Sequence, residues 1–270
     1  MPRILLAVLG DPLSYTRSPE LHRAGLAAIG FECDSVALRT PAEGLERRLR
    51  ELAETGYTGV NLTHPLKEPA LALLARVSAP ARAARSVNTV GLDADGHWGE
   101  TTDGAGFIDL LRGMGRDPAA ERVVLCGSGG ASRSLAFALL AAGCTRIAVA
   151  SRDPGRAAES WADLAGARLM RAEGEEIAAD REAATLVVNG TPRSTALDPV
   201  PVSAISRRAL LVDLTYGPEL TVWVAAARAE GREAVDGLGL LVHQARRSLE
   251  LWTGRQVPLE PLARAVGWPR

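Results

Sequence analysis

Apolar positions along this chain fall into two patterns. Short unbroken runs bounded by turn residues read as buried strands, and stretches with apolar residues every three or four positions read as helices. Residues 3–9 (RILLAVL) form such a run, closed by Gly10-Asp11-Pro12, so a buried strand is expected there. Ser18-Pro19-Glu20 opens a helix to about Ile29: a hydroxyl at the cap, a proline in the first turn, and Gly30 as the stop. A second strand is expected over residues 34–39. A helix follows over residues 41–55, with Leu45, Leu49 and Leu52 on one face, and then a third strand over residues 58–62. Residues 69–76 read as another helix. Residues 87–92 and 97–99 flank Asp93-Ala94-Asp95-Gly96, a hairpin-like turn.

The pattern then changes. A helix is expected from Asp103 through Leu111, and Arg116-Asp117-Pro118 reads as a surface linker. Beyond it strands and helices alternate: strand 123–126, helix 131–142, strand 146–150, helix 155–164, a strand near 169–170, strands 186–189 and 210–214, helix 219–229 and a short strand at 233–235. Such alternation implies a parallel sheet covered on both faces. Helices over residues 240–253 and 259–266 close the chain, and they are expected to return to the first domain. The fold class is therefore α/β, with an N-terminal α/β domain over residues 1–102, a Rossmann-like doubly wound domain over 103–236, and C-terminal helices over 237–270.

Composition narrows the function. The 270 residues are 47% hydrophobic, enough to bury a sizeable core. A net charge of −1 gives no electrostatic case for nucleic acid or an acidic membrane surface. Cys33, Cys126 and Cys144 form neither a disulfide framework nor a CxxC pair, and the four histidines lack zinc-type spacing, so no metal site is expected. His22 and His243 read as packing or surface positions. The apolar start MPRILLAVLG is too short for a signal peptide, and no stretch approaches the about 20 apolar residues of a membrane helix. A reduced cytoplasm is the expected location.

The strand at 123–126 runs into Gly127-Ser128-Gly129-Gly130-Ala131-Ser132 and then a helix. Such a turn aims backbone N–H groups and a helix N-terminus at a pyrophosphate, although a glycine fingerprint alone is loose. At the end of the next strand stand Ser151-Arg152-Asp153-Pro154-Gly155-Arg156. Arg152 and Arg156 offer guanidinium groups to a 2′-phosphate, which favours NADP. Asp153 can instead accept from a free ribose hydroxyl, so NAD stays open.

Five segments acquire meaning as an ordered set. They are Asn61-Leu62-Thr63-His64-Pro65-Leu66-Lys67, Ser86-Val87-Asn88-Thr89, Gly99-Glu100-Thr101-Thr102-Asp103-Gly104, the glycine turn, and Asp236-Gly237-Leu238-Gly239 through Gln244. Taken singly, each residue suits a cap, a turn or a solvated position. Together, across essentially the whole chain, the set closely resembles the shikimate dehydrogenase family. The resemblance implies reversible, NADP-dependent reduction of 3-dehydroshikimate to shikimate, with Lys67 and Asp103 as the catalytic pair. It implies substrate contacts from Thr16, Ser18, Asn61, Thr63, Asn88, Tyr216 and Gln244. It implies cofactor contacts from Gly127, Ser128, Gly129, Gly130, Ala131, Ser151, Arg152, Arg156, Asn189, Thr191 and Gly237. Two positions depart from the family pattern: Thr16 stands for a serine and Thr101 for an asparagine. A quinate or aminoshikimate dehydrogenase with relaxed NAD/NADP use therefore remains an alternative, with a non-catalytic NADP-binding protein behind it. Relatives are monomers or homodimers, and the sequence does not distinguish them.

The residue types suit that chemistry. Exchanging a hydride at a ring C–OH also moves the hydroxyl proton, and a side chain can carry that proton without a metal. Lysine and aspartate side by side form such a group, with the aspartate as the orienting partner. Hydroxyls at Thr16, Ser18 and Thr63 can donate to a carboxylate, and the amides of Asn61, Asn88 and Gln244 can both donate to and accept from ring hydroxyls.

Overall fold

The computed structural model describes residues 1–13, 15–173, 175–191 and 200–270. In chain order the first elements are β1 (Arg3–Gly10), α1 (Ser18–Ala28), β2 (Glu32–Arg39), α2 (Leu45–Glu54), β3 (Gly59–Leu62), β4 (Arg76–Val77), α3 (Ala79–Ala84), β5 (Thr89–Gly91), β6 (Trp98–Glu100) and α4 (Asp103–Gly113). There follow β7 (Val123–Cys126), α5 (Gly130–Ala141), β8 (Ile147–Ser151), α6 (Pro154–Trp161), β9 (Ala167–Arg171), α7 (Glu175–Ala183), β10 (Leu186–Asn189), β11 (Leu210–Asp213), α8 (Val222–Ala229) and β12 (Ala234–Val235). The last two are α9 (Leu238–Thr253) and α10 (Leu259–Val266). The chain forms two compact units, Met1–Phe107 with Leu241–Arg270, and Ile108–Leu240.

The first unit holds a six-stranded mixed sheet in the order β2-β1-β3-β5-β6-β4. β1 pairs in parallel with β2 and β3, while β5 runs antiparallel to both β3 and β6. The leucine stripe of α2 (Leu45, Leu49, Leu52) is buried against Ala7, Leu9, Val60 and Leu62 of the sheet. α10 packs on α1, so the end of the chain belongs to the unit in which the chain begins.

The second unit is a fully parallel sheet in the order β12-β11-β10-β7-β8-β9. Taken from its central strand outwards, this is the doubly wound arrangement, with its topological switch between β7 and β10. β7, β8, β10 and β11 are buried along their whole length. That is why they read as unbroken apolar runs rather than as alternating ones.

One local expectation is corrected, and two helices are added. Residues 69–76 are not one helix: Pro69–Ala72 form a single 3-10 turn, and Arg76–Val77 pair in parallel with Trp98–Gly99 of β6. The open edge of β6 provides hydrogen bonds that an isolated second helical turn lacks. α3 is a short helix absent from the hydrophobic pattern, started by the Ser78 side chain, which accepts from the Ala81 N–H. α7 is equally hidden, because Ile177 is its one buried residue and a single anchor leaves no periodic stripe.

Candidate functional site

In the first unit, a polar cluster gathers at the ends of β3, β5 and β6 and the starts of α1 and α4. Lys67 lies in the loop after β3, and its Nζ donates to Asp103 Oδ2 at 2.5 Å. Asp103 opens α4, where a carboxylate is favoured by the helix dipole. Its other oxygen accepts from Asn88 Nδ2 at 2.8 Å. The Asn88 amide also reaches Gln244 Oε1 on α9 at 3.1 Å, and Asn88 Oδ1 accepts from the Thr102 N–H at 2.8 Å. Lys67 keeps 25% of its side chain exposed against 9% for Asp103. The ammonium is therefore the more accessible member of the pair, with hydrogens left to reach a ligand.

At the start of α1, Thr16 Oγ1 and Ser18 Oγ stand 3.2 Å apart. Thr63 follows β3 and donates its N–H to the Leu9 carbonyl. Asn61 is buried and engaged at both ends of its amide. Its Oδ1 meets His22 Nε2 at 2.9 Å, and its Nδ2 faces the Asn88 carbonyl at 2.9 Å, Thr89 Oγ1 at 3.3 Å and Ser248 Oγ at 3.2 Å. His22, read from sequence as packing or surface, is wholly buried, and its Nδ1 meets Ser35 Oγ at 2.8 Å. Burial lowers its pKa to about 4, with the Asn61 contact opposing and the nearby Arg23 charge adding to the fall.

Sequence reasoning did not assign His22, Thr89, Thr102, Ser248 or Gly106. Spacing held part of the signal: His22 lies four residues after Ser18 on α1, and Ser248 four after Gln244 on α9, so each shares a helix face with an assigned residue. Gly106 allows α4 to approach α9, because a Cβ there would stand 2.7 Å from the Gln244 backbone nitrogen.

The second unit carries the phosphate-type turn at its switch point. Gly127 adopts φ +102°, a conformation that favours glycine, and a Cβ there would meet Thr191 Cγ2 at 3.1 Å. Gly129 caps α5 without a side-chain hydrogen bond, and the space beside Gly129 and Gly130 is open. The helix N–H groups are thus left for an anion. Ser128 and Ser151 hydroxyls lie 3.1 Å apart, while Trp161 Nε1 donates to the Ser128 carbonyl at 3.0 Å and holds the turn from behind. Half-buried Ala131 follows in the first turn of α5.

These residues border a cleft of about 750 Å³, whose lining includes Gly127, Ser128, Gly129, Ser151, Arg152 and Thr191. Arg156 lines it too, as do Glu173 and Arg181, which sequence reasoning did not name. The Asp153 side chain accepts from the Arg156 N–H at 3.0 Å and so caps α6. Asn189 Oδ1 accepts from the Thr191 N–H, while its Nδ2 donates to Asp213 at 3.1 Å. Gly237 packs on the chain after β11, where a Cβ would collide with the Leu214 carbonyl. Tyr216 follows β11 and is half-buried. The uncapped helix, the left-handed glycine and the cationic rim fit a dinucleotide with an added phosphate. Among the described residues no cluster of His, Cys, Asp or Glu could hold a metal ion, and no helix is long and apolar enough to cross a membrane.

A doubly wound sheet with an uncapped glycine turn at its switch point defines the Rossmann-type dinucleotide-binding fold. Comparison with known proteins makes this more specific. Residues 8–90 match the family model for the shikimate dehydrogenase substrate binding domain, and residues 237–266 that for the shikimate 5'-dehydrogenase C-terminal domain. The shikimate dehydrogenase (NADP(+)) of Xanthomonas euvesicatoria pv. vesicatoria is 38% identical, over 98% of this chain and 96% of the relative. Shikimate 5-dehydrogenase from Thermus thermophilus, solved with NADP(H) and shikimate, superposes with a TM-score of 0.87 at 34% identity, covering 98% of each chain. Quinate dehydrogenase from Corynebacterium glutamicum, solved with NAD, gives 0.85 at 31% identity over 98% of this chain and 99% of that one. The chain belongs to the shikimate dehydrogenase family.

Proposed function

We propose that the protein is an NADP-dependent shikimate dehydrogenase, which interconverts 3-dehydroshikimate and shikimate. The observation that carries the reading is the Lys67–Asp103 pair, joined through Asn88 to Gln244. When bound, the nicotinamide supplies the two-electron exchange as hydride. Lys67 holds the proton that moves with it. As the ammonium it donates to the carbonyl oxygen that becomes the alcohol, and it takes the hydroxyl proton back in the oxidative direction. Asp103 orients the Lys67 ammonium through one oxygen and is itself held by Asn88 through the other.

Thr16, Ser18 and Thr63 donate to the substrate carboxylate, while Asn88 and Gln244 bind its ring hydroxyls with Asn61 behind them. Tyr216 completes the substrate contacts. A polar set of this kind rejects analogues lacking a hydroxyl, since each missing group leaves a buried partner unpaired. Gly127, Ser128, Gly129, Gly130 and Ala131 would hold the pyrophosphate. Asn189, Thr191 and Gly237 would lie along the nicotinamide half, and Ser151, Arg152 and Arg156 at the adenosine end. The NADP preference is supported by Asp153. Its carboxylate is engaged in capping α6, which leaves the exposed Arg152 and Arg156 to meet a 2′-phosphate.

In this reading the domains are a substrate domain over residues 1–102, an NADP domain over 103–236 and returning helices over 237–270. The enzyme works in the cytoplasm, where its three free cysteines stay reduced, as a monomer or homodimer. One observation favours a second reading with quinate as substrate. Thr16 places a methyl beside the carboxylate-binding hydroxyl, and a quinate dehydrogenase is among the similar structures.

Purified protein with shikimate and NADP should generate reduced cofactor, followed by its absorbance. kcat/KM for shikimate, quinate and aminoshikimate with each of NADP and NAD ranks the alternatives. No turnover with any pair would overturn the enzymatic reading.

A further inference from the structure

We propose that His22 is a positioning residue for the acid substrate: its imidazole pins the start of α1 to Asn61 on β3. It thereby sets the separation between the hydroxyls that hold the substrate carboxylate and the Lys67–Asp103 pair at the reacting carbon. The inference rests on the substrate reading above and adds to it a residue that touches neither ligand.

The Asn88 carbonyl can only accept, so the Asn61 group facing it at 2.9 Å is the NH₂. Asn61 Oδ1 therefore faces His22, and His22 Nε2 carries the ring proton. Nδ1 is then the acceptor and takes the Ser35 hydroxyl proton at 2.8 Å. Every polar atom of the ring has one partner of the right kind. The ring is also fixed in plane: Trp252 on α9 meets it edge-on, with centroids 5.7 Å apart at 88°, and Trp252 Nε1 is tied to the Val90 carbonyl.

Position on the helix supplies the second half. Ser18 and His22 are four residues apart on α1, both buried, and so lie on one face. The Ser18 hydroxyl sits at the start of that face beside Thr16 Oγ1. The imidazole thus joins three elements, α1 through its own backbone, β2 through Ser35 and β3 through Asn61. From Asn61 the chain of contacts runs to the Asn88 carbonyl, and the Asn88 amide holds Asp103. Burial keeps the ring neutral at the pH of catalysis, so it acts as a fixed donor. Arg23, whose charge acts on the ring, is turned to the Ser35 carbonyl at 3.1 Å.

Removing the imidazole leaves Asn61 Oδ1 and the Ser35 hydroxyl buried without partners. It removes the tie between α1 and β3 and lets α1 shift against β3. Geometry at both ends of the acid suffers, whereas the cofactor cleft lies wholly in the other unit.

The test is steady-state kinetics on the full-length enzyme, with shikimate and NADP varied separately, alongside direct titration of NADP binding. Glutamine places an amide NH₂ where Nε2 stands, and asparagine places a polar group where Nδ1 stands. His22→Gln should retain activity. His22→Leu and His22→Asn should lose about tenfold to a hundredfold in kcat/KM for shikimate, with NADP affinity unchanged. Should His22→Leu fail to fold, the Gln and Asn variants make the same comparison. Equal kcat/KM in those two, or a fall in NADP affinity matching the fall for shikimate, overturns the proposal. A wild-type enzyme with no turnover removes the underlying substrate reading instead, and this inference with it.

Discussion

His22 should make the stability of the first unit depend on pH in a calculable way. In the unfolded chain the imidazole titrates near 6.5, and in the fold burial lowers it to about 4. Between those values the unfolded chain binds a proton that the native state refuses, so acid favours unfolding. The contribution is fully present above pH 6.5, declines as pH falls through the window and is lost below about 4. Lowering the pKa from 6.5 to about 4 corresponds to roughly 3 kcal/mol. Roughly two-thirds of it is gone by pH 5. The ring is fully buried, so solvent screening does not discount the figure.

Urea unfolding of wild type and His22→Gln at pH 7, 6, 5 and 4.5 tests this, followed by circular dichroism. Other acid-sensitive groups are common to both proteins and cancel in the difference. The wild-type stability should drop toward that of the variant as pH falls, and the gap should change by roughly 2 kcal/mol between pH 7 and 5. A gap independent of pH would refute the buried neutral imidazole.

The remaining predictions concern the two sites. Lys67→Ala should lower kcat by about 10²–10⁴-fold while NADP titrations give an unchanged affinity; unimpaired turnover would remove Lys67 from proton transfer. Arg152→Ala should weaken NADP by about tenfold and leave NAD unaffected, since one charge-assisted contact to the 2′-phosphate is lost. Asp153→Ala should cost about 1 kcal/mol in thermal or urea unfolding through the lost α6 cap, without altering the ratio of kcat/KM for NADP and NAD. A gain for either cofactor would give Asp153 a direct role in ribose recognition. Gly106→Ala should destabilise by about 1–3 kcal/mol and raise KM for shikimate, because its Cβ must push the Gln244 backbone from 2.7 Å.

Much of this molecule is legible along the chain because its information is local. Strands β7, β8, β10 and β11 are buried on both faces, and such strands must be written as apolar runs. The glycine turn is legible for a similar reason: a left-handed φ at Gly127 admits few other residues, so geometry is printed directly in residue type. What escapes are elements whose existence depends on a neighbour. Arg76–Val77 is a strand because β6 offers it an edge, and α7 is anchored by Ile177 alone. Neither leaves a periodic trace.

Residue order alone carries the α/β class, the doubly wound half, the residue types of both sites and the family likeness. Folding settles what those residues do to one another. Asp153 stands in sequence as a rival to Arg152 and Arg156, and in the fold its carboxylate is engaged at the start of α6. Asn61 reads as one polar residue among several, and in the fold its amide is set by the Asn88 carbonyl; His22 reads as a packing or surface residue and meets the Asn61 carbonyl oxygen. The physical reason is common to these cases. A polar side chain announces its capacity for hydrogen bonds, but its partners are far away in sequence and are assigned by packing. Burial then requires that each capacity be met, and meeting it turns separate residues into one site.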